Sequence, residues 1–170
     1  MEKRNVTVSA IVAAIVLIGD QLSKHWAETW LRTNGEYKIW DGVLHLRYVE
    51  NRGAAFGMMQ GGKWFFLAIT GIACAAMLYF LIKERKRLHF MMTFSIALLL
   101  SGAIGNLIDR VALGYVRDMI YVALIDFAVF NVADMAVTVG CCLLVLDLLF
   151  FKGKKYMEMM DKKPQTGDNS

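Results

Sequence analysis

Asp118 and Asp134 are acids with no basic residue on their own helix face, in a chain that is otherwise strongly apolar. Two carboxylates that share one proton can activate water through the ionised member. The protonated member can meanwhile hydrogen-bond a carbonyl, and peptide hydrolysis needs nothing else. Other polar residues collect at the ends of apolar stretches: Asp20 and Lys24, then Asn106, Asp109 and Arg110, then Asn131 beside Asp134. An ionisable group costs free energy in hydrocarbon, so each is a functional candidate by default.

Each also has a plain structural explanation. Asp20 and Lys24 are spaced i, i+4 and form a natural ion pair. Arg110 can snorkel to the interface or pair with Asp109; alternatively, with Asn106 one turn below on the same face, it can orient a peptide. Asp134 follows Asn131 by three residues, where a carboxylate complements the helix dipole. Asp147 lies near the opposite end of its apolar stretch, where it caps the helix, pairs with a tail lysine or reaches headgroups.

Other hydrolytic constellations are missing. There is no His-Glu-x-x-His motif, and His25, His45 and His89 are scattered, so neither a metal nor any other cofactor is expected. Ser101 precedes Gly102 as a serine nucleophile would, but no histidine shares its depth and Lys24 is already offered Asp20. Cys74 lies in one apolar block and Cys141 and Cys142 in another, so all three read as small packing residues without disulfide or metal-ligand spacing.

The elements that must position these residues are membrane helices. The chain has 170 residues, is 57% hydrophobic and contains one proline. Its mean hydropathy is +0.45. The runs 64–82, 90–108 and 130–151 are long enough as helices to cross a hydrocarbon core of about 30 Å. A first block, from residue 6, is short for a span but continues through Asp20 and Lys24 to Trp26 and Trp30, giving a helix over 6–31 with an interfacial aromatic belt. Its start resembles a secretory signal peptide, yet Gly19 leads into Asp20, Gln21 and Leu22 rather than a small-residue cleavage site, so a retained anchor is expected.

Lys3, Arg4, Lys83, Arg85, Lys86, Arg87 and the lysines of 152–170 mark one set of helix ends. The positive-inside rule puts these ends and both termini in the cytoplasm. A net charge of +4 distributed in this way suits anionic headgroups rather than nucleic acid. Within 34–62 the alternation of Leu44, Leu46 and Tyr48 with His45, Arg47 and Val49, after an Asp41-Gly42 turn, predicts an outer β-hairpin. The fold expected is an all-α integral membrane protein. It has four transmembrane helices, a small extracytoplasmic β-hairpin, a single membrane domain over 1–151 and a basic cytoplasmic tail over 152–170.

Three helices bring polar groups to one depth, and Asp118 lies on the short segment that returns to it. Five blocks stand out: Asp20-Gln21-Leu22-Ser23-Lys24, Asn51-Arg52-Gly53-Ala54-Ala55-Phe56, Gly102 through Arg110, Val116-Arg117-Asp118, and Phe130-Asn131-Val132-Ala133-Asp134. Through these blocks the sequence resembles the lipoprotein signal peptidase family, signal peptidase II. It departs from the family pattern at Met119, where phenylalanine is usual, and at Ala128, where proline often stands.

The resemblance implies that Asp118 and Asp134 form an aspartic dyad, that Asn51, Gly53, Asn106, Arg110, Asn131 and Ala133 line a substrate groove, and that Asp20 and Lys24 support it. It implies a β-cradle resting on the bacterial cytoplasmic membrane and diacylglyceryl-modified prolipoproteins as substrates, cut before the lipidated cysteine. Globomycin-like cyclic peptides are expected in the groove and a monomer in the bilayer. Leu98, Leu99 and Ile104 offer apolar faces for acyl chains. The alternative is a small proton-coupled transporter, although that would need its titratable groups at midplane, where the helices offer only mild polar groups such as Thr70, Ser95 and Thr138.

Overall fold

The computed structural model describes residues 3–53, 63–85, 87–151 and 153. Four long helices account for most of them: α1 (Lys3–Trp26), α2 (Lys63–Lys83), α3 (Phe90–Ala112) and α4 (Val132–Phe150). All four have the length and apolar composition to cross a membrane. α1 continues past its α-helical part through a π-helical turn, Ala27–Leu31, and ends with Arg32–Asn34. The four helices lie close to the expected runs, with the first and third each extended by about a turn at the C-terminal end.

α3 is the central helix and packs against the other three. Its membrane window is 56% buried by protein, against 6% for α2, so lipid must cover most of the remaining helices. The contact between α3 and α4 is close because glycine stands at the crossing. A Cβ at Gly102 would collide with the Ala133 carbonyl oxygen, and one at Gly140 would lie 2.9 Å from the Ser95 carbonyl oxygen. Small residues give membrane helices this approach, with packing rather than water exclusion as the gain. Cys74 belongs to the apolar cluster between α2 and α3 with Met92 and Ile96. Cys141 and Cys142 are exposed on α4, so the packing role expected of all three cysteines holds for Cys74 alone.

A three-stranded antiparallel sheet sits at one end of the bundle, in the order β1 (Tyr37–Trp40), β2 (Leu44–Asn51), β3 (Val116–Val122). The first two strands are the expected hairpin, turned at Gly42 with φ +71. Residues 54–62 of the expected outer region lie outside the described residues, as does the tail apart from position 153. The third strand comes from the segment joining α3 to α4, which the sequence reading left unassigned. Its side chains alternate, but polar Arg117 and Asp118 on opposite faces hide the apolar period that marks a half-buried strand. One face turns Met119 onto Ala27 and Leu31 at the end of α1. Met119, standing where the family usually has phenylalanine, is 3% exposed and fills that contact.

Candidate active site

The register of β2 on β3 determines where Asp118 points. Val49 pairs with Asp118 and Asn51 with Val116, so Asn51 is the diagonal neighbour of Asp118 on the same face. Its amide Nδ2 donates to Asp118 Oδ2 at 2.9 Å, and its Oδ1 accepts from the Gly53 N–H at 3.0 Å. The carboxyl is 2% exposed.

Asp134 arrives from α4. Asn131 is the N-cap of that helix: its Oδ1 accepts from the Asp134 N–H at 3.0 Å, and Asp134 Oδ2 accepts from the Asn131 N–H at 3.1 Å. This reciprocal capping box realises the helix-terminus role foreseen for Asp134 and at the same time immobilises its carboxylate. The side-chain nitrogen of Asn131 donates to Asp118 Oδ1 at 2.6 Å. One asparagine thus holds both acids.

Asp134 Oδ1 accepts from Asn106 Nδ2 at 2.7 Å, and Asn106 Oδ1 accepts in turn from Lys24 Nζ at 2.9 Å. Lys24 is fully buried, 2.8 Å from Asp20 and 3.6 Å from Asp109. Asp20 Oδ1 accepts from the Ala133 N–H at the start of α4. The structural reading of the Asp20–Lys24 pair is therefore correct, and the pair also anchors the helix that carries Asp134.

Asp118, Asp134, Asn51, Gly53, Asn106 and Arg110 line one cavity of about 520 Å³, closed on its apolar side by residues including Phe127, Phe130 and Val139. Asn131 and Ala133, expected on the groove wall, are instead fully buried: Asn131 holds both carboxyls from the rear and the Ala133 N–H is bound to Asp20. Arg110 does not pair with Asp109, whose oxygens are taken by Arg117. Its guanidinium reaches the Gly53 carbonyl at 3.4 Å and lies over the Phe66 ring.

Burial pushes Asp118 up to about 7, and the neighbouring Asp134 charge adds to the rise against the pull of the Asn51 and Asn131 hydrogen bonds and of Lys24. A carboxyl in this range is able to keep or release a proton near neutrality.

Compared with known proteins, residues 12–150 match the family model described as signal peptidase (SPase) II. The chain belongs to the signal peptidase II family. A lipoprotein signal peptidase of Streptococcus thermophilus is 46% identical over 142 residues, covering 83% of this chain and 92% of that protein. One from Clostridioides difficile is 44% identical over 145 residues, covering 85% and 97%. A solved structure described as a bacterial membrane enzyme superposes with a TM-score of 0.78 at 34% identity, covering 95% of this chain and 94% of that one. A second, also described as a bacterial membrane enzyme, gives 0.76 at 36% identity, covering 85% and 94%. A signal peptidase II is a peptidase and a multi-pass bacterial membrane protein, so the transporter alternative is set aside.

In this signal peptidase II the structure also places the other residues singled out in the sequence. Leu98 is buried and Ile104 packs into the α2–α3 cluster, which leaves Leu99 on an apolar groove of about 360 Å³ beside Asn106 and Asp134. Ser101 Oγ donates to the Leu98 carbonyl at 2.9 Å and is buried, so it is no nucleophile. Asp147 is fully buried with His89 Nε2 2.8 Å away, a partner the sequence did not suggest; the tail lysines lie outside the described residues. Among the described residues no group of three His, Cys, Asp or Glu could hold a metal ion.

Arg117, Gln21 and Glu28 were missed as site residues. The sequence held a signal for Glu28, because Asp20, Lys24 and Glu28 form an alternating-charge stripe at i, i+4, i+8 on one helix face.

Proposed function

We propose that this signal peptidase II removes signal peptides from diacylglyceryl-modified prolipoproteins, cutting just before the lipidated cysteine, with Asp118 and Asp134 as an aspartic dyad. The observation that carries the reading is Asn131, which donates to Asp118 from its side chain and to Asp134 from its backbone, so that two acids from different elements face one cavity.

In the resting dyad one proton is shared. Water enters from the polar cavity lined by Arg47, Glu50 and Arg52, which adjoins Asp118. The ionised carboxylate takes a proton from that water as its oxygen attacks the scissile carbonyl, and the protonated acid hydrogen-bonds the developing oxyanion. Collapse of the tetrahedral intermediate passes a proton to the leaving amine and returns the dyad to its starting state. Asn51, Gly53, Asn106 and Arg110 hold the peptide, and Asp20, Lys24, Asn131 and Ala133 keep the acids in place. The carbonyl of Gly53 and the guanidinium of Arg110 offer a peptide an acceptor and a donor on one wall.

The sheet end of the bundle faces outward and the loop joining α2 to α3 faces the cytoplasm, so that acyl chains held in the outer leaflet bring the scissile bond to the depth of the acids. The exposed aromatic residues Trp26, Trp30 and Trp40 at this end suit headgroup contact. Globomycin-like cyclic peptides occupy the same cavity.

The test is direct. Purified protein in lipid should release the signal peptide from a diacylglyceryl-modified precursor and leave the unmodified precursor intact. Equal cleavage of both would remove the lipidated substrate from the reading.

A further inference from the structure

One densely hydrogen-bonded side chain beside the dyad is not used by the mechanism. Arg117 precedes Asp118 on β3, and strand alternation sends it to the opposite face, away from the cavity. Its Nη2 and Nε donate to the two oxygens of Asp109 at 2.7 and 3.2 Å, its Nη1 to Glu28 at 3.0 Å and its Nη2 to Gln21 at 3.3 Å. The Arg117 N–H also donates to Asp109 Oδ2 at 2.9 Å. One guanidinium therefore ties β3 to α1 and α3 immediately beside Asp118, with its side chain only 11% exposed. On its carbonyl side, Arg117 faces the Asn131 amide at 3.4 Å.

The network also has an electrostatic path to the acids. Asp109 lies between Arg117 and Lys24, and Lys24 donates to Asn106, which donates to Asp134. Arg117 supplies most of the compensation for Asp109, leaving Lys24 free to hold Asn106. Without it Asp109 would draw on Lys24 alone and pull the ammonium away from Asn106.

We propose that Arg117 is a positioning residue for the reaction: its fork fixes Asp118 against the cavity, and its charge keeps Lys24 directed at Asn106 and the dyad. This rests on the aspartic reading given above. Lysine keeps the charge but cannot make the fork, and glutamine keeps neither, so the two substitutions separate the effects.

The groups facing Asp118 are Lys24 from α1, Arg110 from α3, Asp134 from α4, and Arg47, Glu50, Arg52 and Asp126 around the adjoining cavity. With Lys24 withdrawn, Asp118 keeps its proton to higher pH, so the basic limb of the rate profile moves up.

The experiment uses the full-length enzyme in lipid with a diacylglyceryl-modified precursor. Arg117→Lys should lose about tenfold or more in kcat with KM within about twofold, since misplacement by a fraction of an ångström costs rate rather than binding. Its pH profile should stay in place. Arg117→Gln should lose at least as much, with the basic limb raised by about half a pH unit or more. Wild-type kcat per folded molecule in Arg117→Lys overturns the proposal even if Arg117→Gln fails to fold. An unmoved profile in a folded Arg117→Gln overturns its electrostatic part. Asp118→Asn is run alongside: if that variant still cleaves, the aspartic reading has failed rather than the role of Arg117.

Discussion

Asp20, on α1, accepts a hydrogen bond at 2.9 Å from the backbone N–H of Ala133, in the first turn of α4. A carboxylate at a helix N-terminus satisfies a free donor and meets the positive end of the dipole. Because Lys24 neutralises Asp20 at 2.8 Å and also holds Asn106, the first and last helices are joined through the polar groups that carry the dyad. Lys24→Met would leave Asp20 and the Lys24 side of Asp109 without a cation. Removing one partner of a buried ion pair costs about 3–5 kcal/mol. Thermal unfolding in detergent should show the loss together with loss of cleavage, and an unchanged melting temperature would contradict the anchoring role.

Asp118→Asn and Asp134→Asn should each reduce turnover of lipidated precursor by about 10³-fold or more, since an amide neither deprotonates water nor exchanges the shared proton. Both proteins should still insert and fold, because the asparagine amide is close in size and carries no charge to bury. Asp147→Asn, in the His89 pair at the far end of α4, should cleave normally while melting earlier. Near-wild-type turnover in either of the first two variants would end the aspartic mechanism.

Asp118 also links stability to pH. Its folded pKa of about 7 lies above the ordinary value of 3.8, so between these values the folded protein binds more protons than the unfolded chain. Stability is therefore greatest at low pH for this group, falls as pH rises, and is fully lost above about 7, a change on the order of 4 kcal/mol. Asp118→Asn should be more stable than wild type at pH 8, with the difference shrinking toward pH 5 in melting curves. Turnover by the wild-type enzyme should decline as pH rises through about 7, when the dyad loses its second proton as a coupled pair.

The α3–α4 crossing tolerates no added carbon at Gly102, where a Cβ would meet the Ala133 carbonyl. Gly102→Ala should cost about 1–3 kcal/mol through overpacking and lower activity by displacing the start of α4. Gly71→Ala, with nothing within 4 Å of the added carbon, is the control and should melt like wild type. Equal melting temperatures for the two variants would show that the helices can part without cost.

Orientation is testable by labelling in cells. In a background with Cys74, Cys141 and Cys142 replaced, a cysteine at Glu36 should react with a membrane-impermeant thiol reagent and one at Arg85 should not. The reverse pattern would invert the topology.

The helices were legible in the sequence because the bilayer imposes a length and a composition that need no partner to be recognised: the runs 64–82, 90–108 and 130–151 became α2, α3 and α4 within a few residues at each end. The motif residues were legible because charge at that depth is costly and must have a reason. What the sequence could not determine was which polar group meets which. Asn131 and Ala133 could be named but not set behind the acids, since that depends on Gly102 and Gly140 letting α4 approach α3. Arg110 and Asp109, adjacent in sequence, looked equally able to pair or to part, and it was β3 that decided, by bringing Arg117 onto Asp109. That strand forms only when β2 offers an edge to the α3–α4 connection, a pairing between residues some 70 positions apart. Local sequence carries backbone preference and hydrophobic period, whereas hydrogen-bond partners are assigned by long-range register.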